Sequence, residues 1–184
     1  MTIILLSGWS TAGKDTVGNI LIRNLGATRM AFADVLKEMV AKEYEFPIFW
    51  TRSEIGKQTR LPCGYTVREL LIKRGQEIRE EMRDPGFFAR GVASKFATCP
   101  NYIVITDWRL PCEYDVVLEA CRESGRKLIT ARVNRVGLDT SPVKDSTTEH
   151  QLDNWPFDIQ ITNAGTNLAD LEFEVMNQIA TRVE

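Results

Sequence analysis

The sequence has few of the residues that build zinc sites or disulfide frameworks. Its 184 residues include four cysteines (Cys63, Cys99, Cys112 and Cys121), none in a C-x-x-C spacing, and a single histidine, His150. Structural zinc sites are built mainly from closely spaced Cys and His ligands, and disulfide scaffolds from many paired cysteines. The composition therefore argues against a zinc site and favours reduced structural thiols.

Long apolar runs and a large excess of charge are also missing. No basic segment precedes an apolar stretch of signal-peptide length, and no run approaches the roughly 20 apolar residues that a membrane span needs. The net charge of −2 gives no indication of a polyanionic partner. We therefore expect no membrane and no nucleic acid polymer as partners. A cytoplasmic location is expected, which would be the host cytoplasm if the chain is phage or viral.

Apolar segments of two kinds alternate along the chain. Short runs such as TIILLSG, NYIVITD, KLITARV and FDIQIT are typical of buried parallel strands, and TRMAFA predicts a shorter one. Apolar residues at helical spacing predict helices over about 14–25, 34–44, 66–82, 111–123 and 168–183. Alternating strands and helices predict an α/β fold, with a parallel sheet covered by helices on both faces.

The loop after the first strand nearly matches a phosphate-binding P-loop, G-x-x-x-x-G-K-[ST]. Gly8, Gly13 and Lys14 satisfy the pattern, but Asp15 occupies the hydroxyl position and Thr16 supplies the hydroxyl one residue later. Glycines let the backbone approach phosphates, and the helix that follows directs its positive end towards them. A chance glycine turn does not account for the strand before and the helix after, so we predict a three-layer P-loop NTPase fold. The predicted nucleotide contacts here are Gly8, Ala12, Gly13, Lys14, Asp15 and Thr16.

The sequence GKDT resembles the loop of the nucleoside monophosphate kinases, in particular the phage- or viral-type deoxynucleoside monophosphate kinases. Segments similar to that family follow in the expected order: AFADVLKEMV, TVRELLIKRGQEIRE, VITDWRLPCEYDVV and DSTTEHQLDNWPFDIQITNAGTNLADLEFEV. The resemblance implies one kinase domain over 1–184, with a helical acceptor-binding insert at about 45–98 and a lid at about 133–150. It implies transfer of the γ-phosphoryl group of ATP, with Mg²⁺, to a small-molecule (deoxy)nucleoside monophosphate, which gives the diphosphate and ADP. A homodimer is compatible with it.

Charged residues match the family positions that neutralise phosphate charge. Asp15 has the alternative of a helix N-terminal carboxylate favoured by the helix dipole, and Asp107 that of an acid that only pairs with an arginine. The lid has the alternative of a flexible surface loop. The resemblance implies as catalytic residues Lys14, Asp15, Arg109, Arg132 and Arg135, and as magnesium ligands Thr16 and Asp107.

The acceptor and the adenine base have their own implied residues. Arg68 and Arg79 lie eleven residues apart, hence on similar helix faces, although ordinary surface charge is the alternative for any arginine. Gln76 and Glu77 would read the acceptor or would only be solvated. The implied acceptor-binding set is Asp34, Lys37, Arg68, Gln76, Glu77, Arg79, Asp107, Trp108, Arg109 and Glu149, and the implied adenine loop is Asn163, Gly165 and Thr166.

Some positions limit what the resemblance implies. Trp108 stands where the family usually has a smaller aliphatic residue, and Cys112 where it often has asparagine. Gly165 and Asn167 are equally explained as a turn glycine and a helix N-cap. His150 has no evident cysteine or aspartate relay and is assigned no catalytic role. Two other functions stay open: a P-loop kinase with another acceptor, such as dephospho-coenzyme A or phosphomevalonate, and a nucleotide-binding module without turnover.

Overall fold

The computed structural model of the chain describes residues 1–138, 150–165 and 167–183. Five strands form one parallel sheet in the order β2-β3-β1-β4-β5. The first strand therefore lies at the centre, between the third and the fourth, and its carboxyl end opens at the middle of the sheet edge. The strands are β1 (Thr2–Ser7), β2 (Thr28–Met30), β3 (Ile103–Ile105), β4 (Lys127–Arg135) and β5 (Ile159–Asn163).

Seven α-helices and one short 3₁₀ helix are assigned in the described residues. The chain between β2 and β3 is mainly helical and is called the helical insert below; it leaves the carboxyl end of β2 and returns to the sheet at the amino end of β3. Among the described residues, no helix is both long and apolar enough to cross a membrane. The helices are α1 (Lys14–Leu25), α2 (Phe32–Glu43), the 3₁₀ helix Ile48–Arg52, α3 (Glu54–Gln58), α4 (Val67–Met82), α5 (Phe87–Ala93), α6 (Pro111–Ser124) and α7 (Leu168–Val183).

The alternation of side chains along β1 divides the core into two layers. Ile4 and Leu6 pack with α1 and α7 on one face of the sheet, whereas Ile3 and Leu5 pack with α5 and α6 on the other. All four side chains are fully buried, as expected for a central strand covered on both faces. The predicted three-layer α/β fold is confirmed. A third apolar cluster joins α2, the 3₁₀ helix and α4 within the insert.

The element boundaries differ from the predictions in two instructive places. Helix α2 begins at Phe32 rather than at Asp34, because its first N–H groups are capped by a carboxylate from outside the local sequence. Strand β4 continues to Arg135, where Asn134 and Arg135 pair with β5. The beginning of the predicted lid is therefore sheet, and residues 139–149 of that segment lie outside the described residues.

Candidate active site

The glycines of the loop after β1 are required by its packing against the rest of the sheet. Gly8 has a φ of +151°, and a Cβ atom there would lie 2.5 Å from the backbone oxygen of Val133. Gly13 has a φ of +107°, and its Cβ would lie 2.6 Å from the side-chain nitrogen of Asn163. Both conformations and both close approaches favour glycine. The loop is thus closely fitted to β4 and β5.

The lysine of the motif lies across the opening of the same loop. Its ammonium group donates to the backbone oxygens of Gly8 at 2.6 Å and of Trp9 at 2.8 Å. Helix α1 begins at Lys14, so the positive end of the helix dipole lies at the same loop. This arrangement is suited to binding a chain of phosphates.

A first cavity of about 510 Å³ lies between the loop, the start of α1 and the end of β5. Thr16 and Asp15 line it from α1, and Arg135 and Gly165 line it from the other side. A guanidinium nitrogen of Arg135 donates to the backbone oxygen of Thr11 at 3.2 Å. One predicted residue of this region, Thr166, lies outside the described residues.

Asn163 fastens the end of β5 to the loop. Its side-chain nitrogen donates to the backbone oxygen of Ala12 at 3.0 Å, and its side-chain oxygen accepts from the N–H of Gly165 at 3.0 Å. Asn163 is only 9% exposed. Both ends of this amide are therefore bonded within the protein, and its role in the structure is to position the loop.

A second cavity, of about 580 Å³, lies on the other side of the loop, between the sheet edge and the helical insert. Thr11, Lys14 and Asp15 line both cavities, so the two sites adjoin at the end of the loop. Cationic side chains outnumber carboxylates two to one around the second cavity: Lys14, Arg29, Lys37, Lys57, Arg79 and Arg109 against Asp15, Asp107 and Glu113.

Asp107, at the carboxyl end of β3, caps helix α2. Its two carboxylate oxygens accept from the N–H groups of Phe32 and Ala33, each at 2.9 Å. Burial raises the pKa of this carboxyl, while the two N–H groups act in the opposite direction. Asp107 lines the second cavity, and it also organises the element from which Lys37 reaches the cavity.

Glu113 is a buried acid of the second cavity that the sequence analysis did not select. One of its oxygens accepts from the N–H groups of Arg109 at 2.9 Å and Leu110 at 3.0 Å. Burial raises its pKa to about 7. The spacing L-P-C-E is the available sequence signal, because a carboxylate at the third position of a helix bonds the N–H groups before it. Glu113 thus fixes the turn that carries Arg109.

Of the four polar residues predicted on α4, only Arg79 lines the cavity. Its guanidinium lies 4.9 Å from the ring centre of Phe88, and one nitrogen donates to the backbone oxygen of Gly75. Arg68 instead pairs with Glu54 of α3. The two arginines do share a helix face, but eleven residues separate them by roughly 16 Å along the axis, so they meet different neighbours.

The other two α4 residues, Gln76 and Glu77, are occupied on their own helix. The side-chain nitrogen of Gln76 donates to Glu80 at 3.0 Å, and Glu77 accepts from Arg74 at 2.6 Å. Neither side chain lines the second cavity.

Arg29 on β2 forms ion pairs with two predicted site residues, although the sequence analysis did not select it. It lies 3.5 Å from the carboxylate of Asp15 and 3.4 Å from that of Asp34. Asp34 in turn accepts from the ammonium group of Lys37 at 2.9 Å. Nothing in the short strand TRM distinguishes this arginine from ordinary surface charge, so only the fold places it at the site.

Trp108 and Arg132, both predicted as site residues, line neither of the two cavities. Trp108 is fully buried among aromatic side chains, and its indole nitrogen donates to the backbone oxygen of Leu110 at 2.9 Å. Arg132 is 6% exposed and donates to Ser7 at 3.1 Å. One further predicted acceptor residue, Glu149, lies outside the described residues.

The described residues include no cluster of three or more His, Cys, Asp or Glu side chains that could hold a metal ion by themselves. Such a cage is not needed for Mg²⁺, which keeps several waters and takes other ligands from bound phosphates. The hydroxyl of Thr16 and the carboxylate of Asp15, which is 79% exposed, stand next to Lys14 at the cavities. This oxygen chemistry fits Mg²⁺.

No family model matches the chain, and no curated protein matches it in sequence. Solved structures are similar to it in fold. An unliganded sugar kinase from Janibacter sp. has 11% identity and a TM-score of 0.53 over 99% of this chain and 96% of that chain. A gluconokinase from Sinorhizobium meliloti has 12% identity and a TM-score of 0.51 over 99% and 93%. The Mycobacterium tuberculosis APS kinase in complex with AMPPNP and APS has 12% identity and 0.51 over 96% and 95%. At such identities the likeness establishes the three-layer P-loop fold alone.

Proposed function

We propose that this chain, with its P-loop kinase fold, transfers the γ-phosphoryl group of ATP to a (deoxy)nucleoside monophosphate, giving the diphosphate and ADP. The observation that carries the proposal is the common wall of the two cavities, formed by Thr11, Lys14 and Asp15. Phosphoryl transfer needs a donor and an acceptor held in line on either side of the transferred group. Two adjoining cavities of similar volume, with a lysine between them, support that arrangement.

The first cavity is the proposed donor site. The loop from Gly8 to Lys14 would bind the ATP phosphates through backbone N–H groups and the ammonium group. Arg135 approaches the same phosphates from β4, where its bond to the backbone of Thr11 holds it. The adenine would lie towards Gly165 and Leu168, at the end of β5 and the start of α7. Thr166 belongs to this proposal through its place in the sequence.

The second cavity is the proposed acceptor site. Its excess of cationic side chains favours a phosphorylated acceptor over a neutral one such as a free sugar. Arg79 and Arg109 are suited to a phosphate because a guanidinium group can donate two parallel hydrogen bonds. Leu36, Leu71 and Phe88 add apolar surface that a nucleobase could cover.

The chemistry requires no covalent intermediate with the protein. Lys14 would neutralise charge on the transferred group, while Arg109 and Arg79 fix the acceptor oxygen for in-line attack. Glu113 and Asp107 act through other groups, because Glu113 fixes the turn of Arg109 and Asp107 caps the helix of Lys37. Mg²⁺ would be held by Thr16, with the exposed carboxylate of Asp15 beside it to bind its waters, and would supply charge neutralisation of the donor phosphates. Asp107, whose oxygens accept from the N–H groups of Phe32 and Ala33, would act on Mg²⁺ only through a bound water.

The proposal is tested by acceptor-dependent ADP release from ATP and Mg²⁺. The acceptors are dAMP, dGMP, dCMP, dTMP, their ribose forms, dephospho-coenzyme A and phosphomevalonate, with Lys14→Ala as control. ADP that appears only with nucleoside monophosphates and disappears in the variant supports the proposal. Turnover with another acceptor alone overturns its acceptor part. ATP binding with no turnover for any acceptor favours a nucleotide-binding module.

A further inference from the structure

The single histidine contacts the phosphate-binding loop. The ring of His150 meets that of Trp9 edge-on, with ring centres 4.6 Å apart. Trp9 directly follows Gly8 in the loop, whereas His150 is 141 residues away in sequence, so the contact is formed only by the fold. Edge-to-face aromatic pairs attract each other beyond the effect of the apolar area that they bury.

An acidic side chain holds the histidine in this orientation. The Nδ1 atom of His150 lies 2.7 Å from one carboxylate oxygen of Asp153, and the other oxygen accepts from Arg132 at 2.7 Å. Arg132 is buried and also donates to the hydroxyl of Ser7 at 3.1 Å. Ser7 is the last residue of β1, directly before Gly8. A chain of contacts therefore runs from Ser7 through Arg132, Asp153 and His150 to Trp9, and its two ends are the neighbours of Gly8 in the sequence.

The backbone of Trp9 carries two bonds on which the loop depends. Its carbonyl oxygen accepts from the ammonium group of Lys14 at 2.8 Å and from the N–H of Ala12 at 3.1 Å. A shift of Trp9 would therefore move both the lysine and the turn that leads to Gly13. Trp9 is only half-buried, and His150 is the aromatic ring on which its side chain packs.

We propose that His150 and Asp153 are positioning residues for the nucleotide donor, because they hold Trp9 and thereby the backbone oxygen that orients Lys14. This inference rests on the proposed function, since it assumes that the loop binds ATP. Arg132 is the buried anchor of the pair rather than a residue that touches the donor. The family resemblance assigned His150 no role, and its contacts in the folded chain are what indicate one.

The test measures ATP affinity, in the presence of Mg²⁺, by isothermal titration calorimetry on the whole chain. We expect His150→Ala to weaken ATP binding about two- to tenfold, the range of a single lost aromatic contact. The matched control is Gln151→Ala, which changes an exposed neighbour of His150. The KM for the acceptor should stay within about twofold, because the second cavity is not lined by His150.

A double-mutant cycle distinguishes positioning from a general loss of stability. In a Trp9→Leu background, His150→Ala should have little further effect on ATP affinity, because the contact it removes is already absent. Equal losses in both backgrounds, or ATP affinity unchanged by His150→Ala, would overturn the inference while leaving the proposed function intact. A wild-type chain that binds no ATP overturns the proposed function itself, and the inference with it.

Discussion

The side-chain nitrogen of Asn163 donates a hydrogen bond to the backbone oxygen of Ala12, with 3.0 Å between the two atoms. This bond joins the end of the last strand to the loop that follows the first, across 151 residues of sequence. Since the oxygen of the same amide accepts from Gly165, the proposed adenine end and phosphate end of the donor site share one fixed group.

The first prediction concerns this amide. Asn163→Ala should lower the free energy of unfolding by about 1–3 kcal/mol, because it leaves the buried oxygen of Ala12 without its partner. ATP affinity should fall as well, since the loop loses its attachment to β5. The control is Asn134→Ala, which removes an exposed side-chain bond to Gln160 on the same pair of strands. Urea unfolding and ATP titration of both variants are the measurements, and equal losses of stability would contradict the prediction.

The second prediction compares a glycine that has both a positive φ and a close steric contact, Gly8, with one that has a positive φ alone, Gly26. Gly8→Ala should cost more than about 2 kcal/mol of stability and abolish ATP binding, because its Cβ would lie 2.5 Å from a backbone oxygen that cannot move aside. Gly26→Ala should cost only about 1 kcal/mol, because Gly26 has a positive φ but open space around it. Thermal unfolding of the two variants compares them. Similar stability and ATP affinity in both would contradict the close approach at Gly8.

The third prediction concerns pH and Glu113. A carboxyl whose folded pKa of about 7 exceeds its unfolded value of 4.5 holds its proton more tightly in the folded state. Its contribution to stability is therefore fully present below about pH 4.5 and is lost as the pH rises to about 7. Glu113→Gln removes this titration while keeping an oxygen for the N–H groups of Arg109 and Leu110.

We therefore expect Glu113→Gln to gain stability relative to wild type as the pH rises from 4.5 to 7. The pKa difference corresponds to a relative gain of order 3 kcal/mol. Urea unfolding at several pH values measures it. Asp107, whose pKa burial raises in the same direction, is present in both proteins. Parallel pH profiles for the two proteins would contradict the burial of an ionisable group at this position.

The fourth prediction uses two arginines of one helix as a matched pair. Arg79→Ala should raise the KM for the nucleoside monophosphate at least about tenfold, because Arg79 lines the second cavity and lost charged hydrogen bonds cost about 1.5–3 kcal/mol. Arg68→Ala should change it less than about twofold, because Arg68 pairs with exposed Glu54. Steady-state kinetics with varied acceptor decide between them, and a larger effect at Arg68 would reverse the assignment.

Local sequence was sufficient for the central strands, the five longest helices and the loop between β1 and α1. The apolar run of β1 and the G-x-x-x-x-G-K spacing carry this information within a few neighbouring residues, so the α/β fold and the position of the loop could be predicted. The start of α2 could not, because its capping group, Asp107, lies 75 residues away from Phe32.

The site was predictable where a residue follows a strand and less so elsewhere. Asp107 and Arg109 reach the cavity because parallel strands present their carboxyl ends at one edge. The ion pairs of Arg29 and the contact of His150 with Trp9 depend on tertiary contacts that no spacing in the sequence specifies. Conversely, Trp108 and Arg132 occupy family positions near the site, yet neither lines a cavity. Trp108 packs in the core, and Arg132 donates to the hydroxyl of Ser7.

The central claim is that the γ-phosphoryl group passes from ATP in the first cavity to a nucleoside monophosphate in the second. The most direct measurement follows a label on the γ-phosphoryl group of ATP, with Mg²⁺ and each monophosphate in turn, and separates the products by chromatography. We predict label in a nucleoside diphosphate with wild type and none with Lys14→Ala. Label that remains in ATP, or appears only as inorganic phosphate for every monophosphate, would contradict the proposed function.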